Sequence, residues 1–410
     1  MNEGQKLDML PHVQFLEPAP QMKIYLLAGE ASGDNHGAAL MEALRHFQPE
    51  IELLGRGGPR MKTLAGDRFL DWSDEAGVVG LWEVVKHYPY FRREFQKTLD
   101  EIAAAKPDAT VLIDYPGFNL RLARALREKS LGGKIIYYIS PQVWAWNRAR
   151  IPKMGRWLDL MLCIFPFEAE LYERSGLRTI FVGHPMIENL KAKRIQDARD
   201  PNLVGIFPGS RAREVRKLMP ILLEVMRELH ARRPELRFEI AAASEALATS
   251  IRDALQAVDH SSTPTRGSAS LRRDAPRRVQ VLVGEAAGTM QRSGVGIVAS
   301  GTATLEAAFF RMPFVLVYKV AGMTYVAARM LIRVKHLGMP NVLANREIVP
   351  EFIQQNAEPA TIAAEVGRLL DDSARRELML AGFDEVIGKL GPGGAKEKAA
   401  RAILDAIAKK

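Results

Sequence analysis

The sequence predicts an α/β protein of two Rossmann-like parallel-sheet domains facing a central cleft, and three observations carry that reading. Short apolar runs alternate with longer amphipathic stretches along most of the chain. The alternation stops in a polar stretch near the middle and then restarts. Each half opens on a strand, a glycine corner and a helix. At 410 residues the chain also exceeds what a single hydrophobic core usually serves.

Taken in order, residues 1–21 lack the basic start and long apolar core of an export signal, and a flexible extension is expected there. From Lys23 the runs "KIYLLAG", "ATVLID" and "KIIYYIS" read as strands. Their almost unbroken apolar character suits a parallel sheet covered on both faces. Between them "NHGAALMEALRHF" and "NLRLARALREKS" read as the covering helices. This first domain is placed at residues 22–186, and the polar stretch "ENLKAKRIQDARDPN" sets a linker at 187–201. The rhythm resumes with "LVGIFPG", "LRFEIAAA", "RVQVLVG", "VGIVAS" and "PFVLVYK", giving a second domain at 202–375 and closing helices at 376–410. Within it, residues from about 256 to 278 turn rich in Ser, Thr, Pro and Arg. A disordered surface insertion is expected there, the alternative being a site for an acidic partner.

Composition narrows the function classes. The single cysteine, Cys163, sits in the apolar run "LMLCIF"; it allows no internal disulfide and no cysteine-rich metal cluster, and a reducing cytoplasm fits. No apolar run is long enough to span a bilayer. The formal charge of +9 calls for an anionic partner. No basic-aromatic motif or helix-turn-helix pattern supports nucleic acid. Phosphorylated metabolites and an anionic membrane surface remain.

The two glycine corners offer different chemistry. "AGEASGD" puts Glu30, Ser32 and Asp34 where a phosphate would have to sit, and its acids would repel one. "PGSRARE" puts Gly209, Ser210 and Arg211 at the start of a helix, where backbone N–H groups and a guanidinium grip phosphate oxygens. A further corner, "ASGTATLEAA", offers Ser300, Gly301, Thr302 and Thr304 to a diphosphate and Glu306 to ribose hydroxyls. Two anion corners in one domain point to a nucleoside diphosphate. Neither "AGEASGD" nor "PGSRARE" has the spacing of a dinucleotide fingerprint or a P-loop.

The motifs "AGEASGD", "GRGGPRM", "IDYPGFNLRLA", "YYISPQVWAWNRARIPKM", "FPFEAELYERSGL", "FVGHP", "FPGSRAREV", "SGTATLEAA" and "MPNVLANREIVPEFIQ" follow one another from Lys23 nearly to the C-terminus. In this the chain resembles the lipid-A-disaccharide synthases, glycosyltransferases of the GT-B type. The resemblance implies inverting transfer of 2,3-diacylglucosamine from UDP to 2,3-diacylglucosamine 1-phosphate, giving a β-1,6-linked disaccharide and UDP in lipid A assembly in a Gram-negative bacterium. Two positions depart from the family pattern: Gly117 stands where many members carry a second acid, and Met339 where they carry Leu. Other UDP-sugar transferases, UDP-sugar epimerases and a phosphosugar-binding protein are the rival readings.

Such a transfer needs a base for the attacking hydroxyl and charge neutralisation on the departing phosphate. Asp114, at the end of "ATVLID", is the expected base, with a turn cap as its alternative role. Arg211 is expected to stabilise the leaving diphosphate, and Asn341 to contact the donor, unless Arg211 is a plain surface arginine and Asn341 a turn residue. No D-x-D pair is present, so no metal or other cofactor is expected. Glu30, Ser32 and Asp34 are acceptor-site candidates or solvated loop residues. Trp144 and Trp146, alternating at strand spacing with Arg148 following, are expected to face one side and line the acceptor site, or to form a buried aromatic pair.

Substrates with acyl chains require access to a membrane. Val78, Leu81, Trp82 and Val85 recur at helical spacing ahead of Arg92, Arg93 and Lys97, and read as a docking stripe for an anionic bilayer or as a core-facing helix. The expected location is the cytoplasm, peripheral to the inner membrane. The oligomeric state is open, a homodimer being one option.

Overall fold

The structure, a computed structural model, describes residues 21–72, 88–261, 278–319 and 335–409. The expected N-terminal extension up to Pro20, the stripe Val78, Leu81, Trp82 and Val85, and most of the expected insertion lie outside the described residues. Before that insertion the helix Glu245–Ser261 runs on past residue 256.

The first sheet has seven strands: β1 (Lys23–Ala28), β2 (Glu52–Gly57), β3 (Phe69–Asp71), β4 (Ala109–Ile113), β5 (Lys134–Tyr138), β6 (Leu160–Cys163) and β7 (Thr179–Phe181). Their order is β3-β2-β1-β4-β5-β6-β7. The second has six: β8 (Asp200–Phe207), β9 (Arg237–Ala242), β10 (Val279–Val283), β11 (Ser293–Ala299), β12 (Phe314–Tyr318) and β13 (Glu351–Ile353). Their order is β10-β9-β8-β11-β12-β13. The pairs β1–β2, β1–β4, β8–β9, β8–β11 and β11–β12 are all parallel. By contacts the chain forms two compact units, residues 1–137 with 400–410, and residues 138–399.

Sequence explains the sheets directly. β4, "ATVLI", is buried at every position, and β1 is buried at every position after Lys23, because crossover helices cover both faces. The helices are amphipathic to match. Ala212–Arg232 buries Val215, Leu218, Met219, Leu222, Val225, Met226 and Leu229 on one face and leaves Arg213, Arg216 and Lys217 in solvent.

The strand orders matter for function. In each sheet the chain walks outward from the first strand, then returns to build in the opposite direction. The reversal falls between β1 and β4 in the first sheet and between β8 and β11 in the second. Helices leave such a point on opposite faces, which opens a crevice beyond the carboxyl ends of the strands where ligands of open α/β sheets bind.

Candidate functional site

At the β1–β4 switch point the chain displays carboxylates. β1 ends at Ala28, followed by Gly29 and Glu30; β4 ends at Ile113, followed by Asp114 and Tyr115. The Tyr115 ring lies across Gly29 so closely that a Cβ there would come within 2.3 Å of it, so only glycine fits. Asp114 and Tyr115 are both left-handed, with φ of 46° and 50°, a conformation costing about 1–2 kcal/mol for each such residue. The surroundings hold this corner. Asn119 Nδ2 donates to the carbonyls of Asp114 at 2.7 Å and Ile113 at 3.2 Å, and the Tyr137 hydroxyl donates to the Asp114 carbonyl at 2.5 Å. Behind it Trp72 Nε1 donates to Ala28 O at 2.7 Å, and its ring packs edge-on against Tyr115 and Phe118. Burial, and then the nearby Glu30, push the Asp114 carboxyl above the ordinary carboxylate range, while the Tyr115 N–H pulls the other way. A carboxylate so raised is a better proton acceptor than a free one.

Not every expected acid in this loop is available to a ligand. Glu30 and Ser32 are exposed. Asp34 is a correction to the expected acceptor set: it turns inward, 3% exposed, and accepts from the backbone N–H groups of Gly58 (3.0 Å), Arg60 (3.0 Å) and Met61 (2.9 Å). Its carboxylate caps the helix Pro59–Ala65 from a distance in sequence.

At the β8–β11 switch point the chain displays donors. Gly209 takes φ of +105°, which turns the backbone sharply between β8 and the helix Ala212–Arg232 and keeps the corner open to close approach. Ser210 is exposed. Arg211 occupies the position just before the helix, and its guanidinium meets Glu214 at 3.1 Å with the side chain 72% exposed. An ion pair this exposed is worth at most about 1 kcal/mol, so an anion can compete for the arginine. Beside it, β11 ends at Ala299 and leads through Ser300, Gly301 and Thr302 into the helix Ala303–Phe309. Gly301 and Thr302 are exposed. Thr304 is not: fully buried, its hydroxyl donates to Gly301 O at 2.7 Å, so it secures the corner and does not face a ligand. Glu306 is raised by burial, with Lys193 opposing. Tyr318, at the end of β12, is half-buried near Glu214 and Arg211, and no motif in the sequence marks it.

Two further expectations need correction. Asn341 is fully buried and fully engaged. Its Nδ2 donates to Val349 O and Glu351 Oε1, both at 2.8 Å, and its Oδ1 accepts from Ile348 N at 2.7 Å and Val349 N at 2.9 Å. It holds the loop ahead of β13 and has no capacity left for a donor sugar. Trp144 and Trp146 do not share a side either. They lie in the short helix Val143–Trp146, where two positions apart means nearly opposite faces. Trp144 is 4% exposed with Nε1 donating to Glu168 at 2.8 Å, whereas Trp146 is 39% exposed under the Arg150 guanidinium. Arg148 is exposed, its Nε donating to Trp144 O at 3.0 Å. Glu168 itself is wholly buried and burial raises it to about 7. Only the run "FPFEAELYERSGL" carried a hint of it.

A UDP-GlcNAc 2-epimerase from Neisseria meningitidis, solved with UDP-GlcNAc bound, is similar in fold, with a TM-score of 0.61 at 13% identity over 94% of this chain and 100% of that one. MurG of Acinetobacter baumannii gives 0.51 at 14% identity over 95% and 100%. Two parallel sheets with glycine corners at their switch points thus define a protein of the GT-B class, which holds glycosyltransferases and epimerases alike.

Sequence separates these. The family model for lipid-A-disaccharide synthetase matches residues 24–402. The lipid-A-disaccharide synthase of Geobacter sulfurreducens is 39% identical over 94% of this chain and 98% of its own length, and that of Myxococcus xanthus 35% over 94% and 97%. The chain belongs to the lipid-A-disaccharide synthase family and is a glycosyltransferase of lipid A biosynthesis. Among the described residues no helix is long and apolar enough to cross a membrane.

Proposed function

We propose that the chain transfers 2,3-diacylglucosamine from UDP-2,3-diacylglucosamine to the 6-hydroxyl of 2,3-diacylglucosamine 1-phosphate, with inversion, releasing UDP. In this reading Asp114 takes the proton of the attacking hydroxyl as oxygen bonds to the anomeric carbon. The bond to the diphosphate breaks on the opposite side, and its electrons leave with UDP. Arg211, Ser210 and the N–H groups around Gly209 neutralise the departing charge, and the Ser300–Gly301–Thr302 corner holds the remaining phosphate oxygens. Glu306 accepts from the ribose hydroxyls. Glu30, Ser32, Trp146 and Arg148 are left for the acceptor. The roles follow a division into an acceptor domain at 22–186 and a donor domain at 202–375. They require no metal, since a guanidinium and helix N–H groups carry the leaving charge.

The observation that most supports this reading is the contrast between the two switch points: a half-buried carboxylate in a left-handed corner at one and a glycine-serine-arginine corner at the other. Base and anion cradle are the two things the reaction needs. Acylated substrates place the enzyme in the cytoplasm, peripheral to an anionic inner membrane of a Gram-negative cell. Mass spectrometry of the products from UDP-2,3-diacylglucosamine and the 1-phosphate acceptor is the test. A disaccharide 1-phosphate with one equivalent of UDP is expected. UDP release without disaccharide, or conversion of the donor sugar without acceptor, would overturn the reading.

A further inference from the structure

The corner that carries Asp114 is built from two consecutive left-handed residues, neither of them glycine, and such a corner persists only where its neighbours hold it. Three hydrogen bonds reach its carbonyl groups. Two come from one side chain, Asn119, which sits at the start of the helix Pro116–Glu128 and is wholly buried. The third comes from Tyr137 on the neighbouring strand β5, also wholly buried, at 2.5 Å. The Tyr115 backbone contributes from within: its carbonyl accepts from Phe118 N at 3.2 Å and Asn119 N at 3.0 Å, which ties the corner to the helix start. Its N–H donates to the Asp114 carboxylate, and the backbone turn at Asp114 sets the direction of that N–H.

We propose that Tyr137 and Asn119 are positioning residues for the transfer reaction: by clamping the Asp114 carbonyl from two elements they keep the corner left-handed and the Tyr115 N–H on the Asp114 carboxylate. Neither touches substrate. The inference rests on Asp114 being the base, and it assigns work to two buried polar side chains that packing alone does not demand. A phenylalanine would fill the Tyr137 site as well, and a leucine shares the branched shape of Asn119. One oxygen of Asn119, Oδ1, has no partner among the described residues, so the side chain is held for its amide donors.

The sign of the effect follows from the local charges. The charge that raises the Asp114 carboxyl is that of Glu30, from the turn after β1; Glu30 also raises the Tyr115 phenol beside it, as does Tyr90. The Tyr115 N–H is what lowers it. If the corner relaxes and that N–H swings away, the carboxyl titrates at higher pH, so the base is protonated and idle over a wider acid range.

Tyr137→Phe removes one hydroxyl and no volume. The expected outcome is a fall in kcat of about fivefold to tenfold, KM for both substrates within about twofold, and an acid limb of the kcat/KM profile shifted to higher pH by about half a unit or more. Asn119→Ala removes the other clamp and is expected to move the same limb the same way, which keeps the test alive if either variant folds poorly. A purely structural role would lower the melting temperature and leave the limb in place; an unmoved limb in both variants overturns the proposal whatever happens to the rate. Asp114→Asn, run alongside, separates the two claims. If it turns over normally, the base assignment falls and takes this inference with it; if it is inactive while the limb stays fixed in the clamp variants, only the inference falls.

Discussion

At the β1–β4 edge the chain sets out a carboxylate in a left-handed corner; at the β8–β11 edge, with the same strand order and the same reversal, it sets out a glycine, a serine and an arginine. Topology supplies both places for the same reason, the diverging helices, and says nothing about which ligand each will take. Side chains decide that. The first corner carries Glu30 beside Asp114, whose carboxyl is raised by burial and by that charge, and the proposed mechanism gives it the proton transfer. The second keeps the acid Glu214 in a loose pair with Arg211 that an incoming phosphate can displace. On the proposed mechanism, two copies of one architectural crevice become a base site and an anion site through about five residues.

The largest effect that could break this comparison is at the first corner. Asp114→Asn keeps the shape and removes the proton acceptor, so kcat is expected to fall by about 10² to 10⁴ while UDP affinity measured by calorimetry stays near wild type. Loss of UDP binding along with turnover would make the first corner part of the anion site. Arg211→Ala comes next: loss of a charge-assisted contact to the leaving group is expected to cost about 10² to 10³ in kcat, with weakened UDP binding. A folded Arg211→Ala protein with full activity would leave the second corner without its distinguishing group.

How much of this could be read from sequence depends on how local the determining contacts are. β1, β4, β8 and β11 were legible because a buried parallel strand writes itself as an apolar run, and the Gly209 corner because proline, glycine and serine act where they stand. Trp144 and Trp146 misled because a four-residue apolar stretch has no period long enough to tell one helical turn from a strand. The fates of Asp34 and Asn341 were hidden for another reason. Asp34 is engaged by Gly58, Arg60 and Met61, more than twenty positions on, and Asn341 by the loop it folds beneath, so each looked like a free polar group in a motif. The clamp on Asp114 was equally invisible, since Tyr137 reaches it from the next strand.

The smallest expected change in activity separates two acids within a single loop, Glu30 and Asp34, and sharpens what the first corner is. Asp34 gives both oxygens to three backbone N–H groups of a neighbouring helix start. In Asp34→Asn one of those oxygens becomes an NH₂ that faces donors, leaving at least one buried N–H without a partner, at a cost of about 1–3 kcal/mol. The melting temperature is therefore expected to fall by several degrees, while kcat and the acceptor KM of the folded fraction stay within about twofold of wild type. Glu30→Gln should do the reverse: Glu30 is exposed, so stability should hold, and any change should appear in the acceptor KM and in the titration of Asp114, which loses a neighbouring negative charge and should titrate at lower pH. If Asp34→Asn instead leaves stability intact and raises the acceptor KM, then Asp34 reaches the ligand after all, and the division of this loop into one supporting acid and one facing the site is wrong.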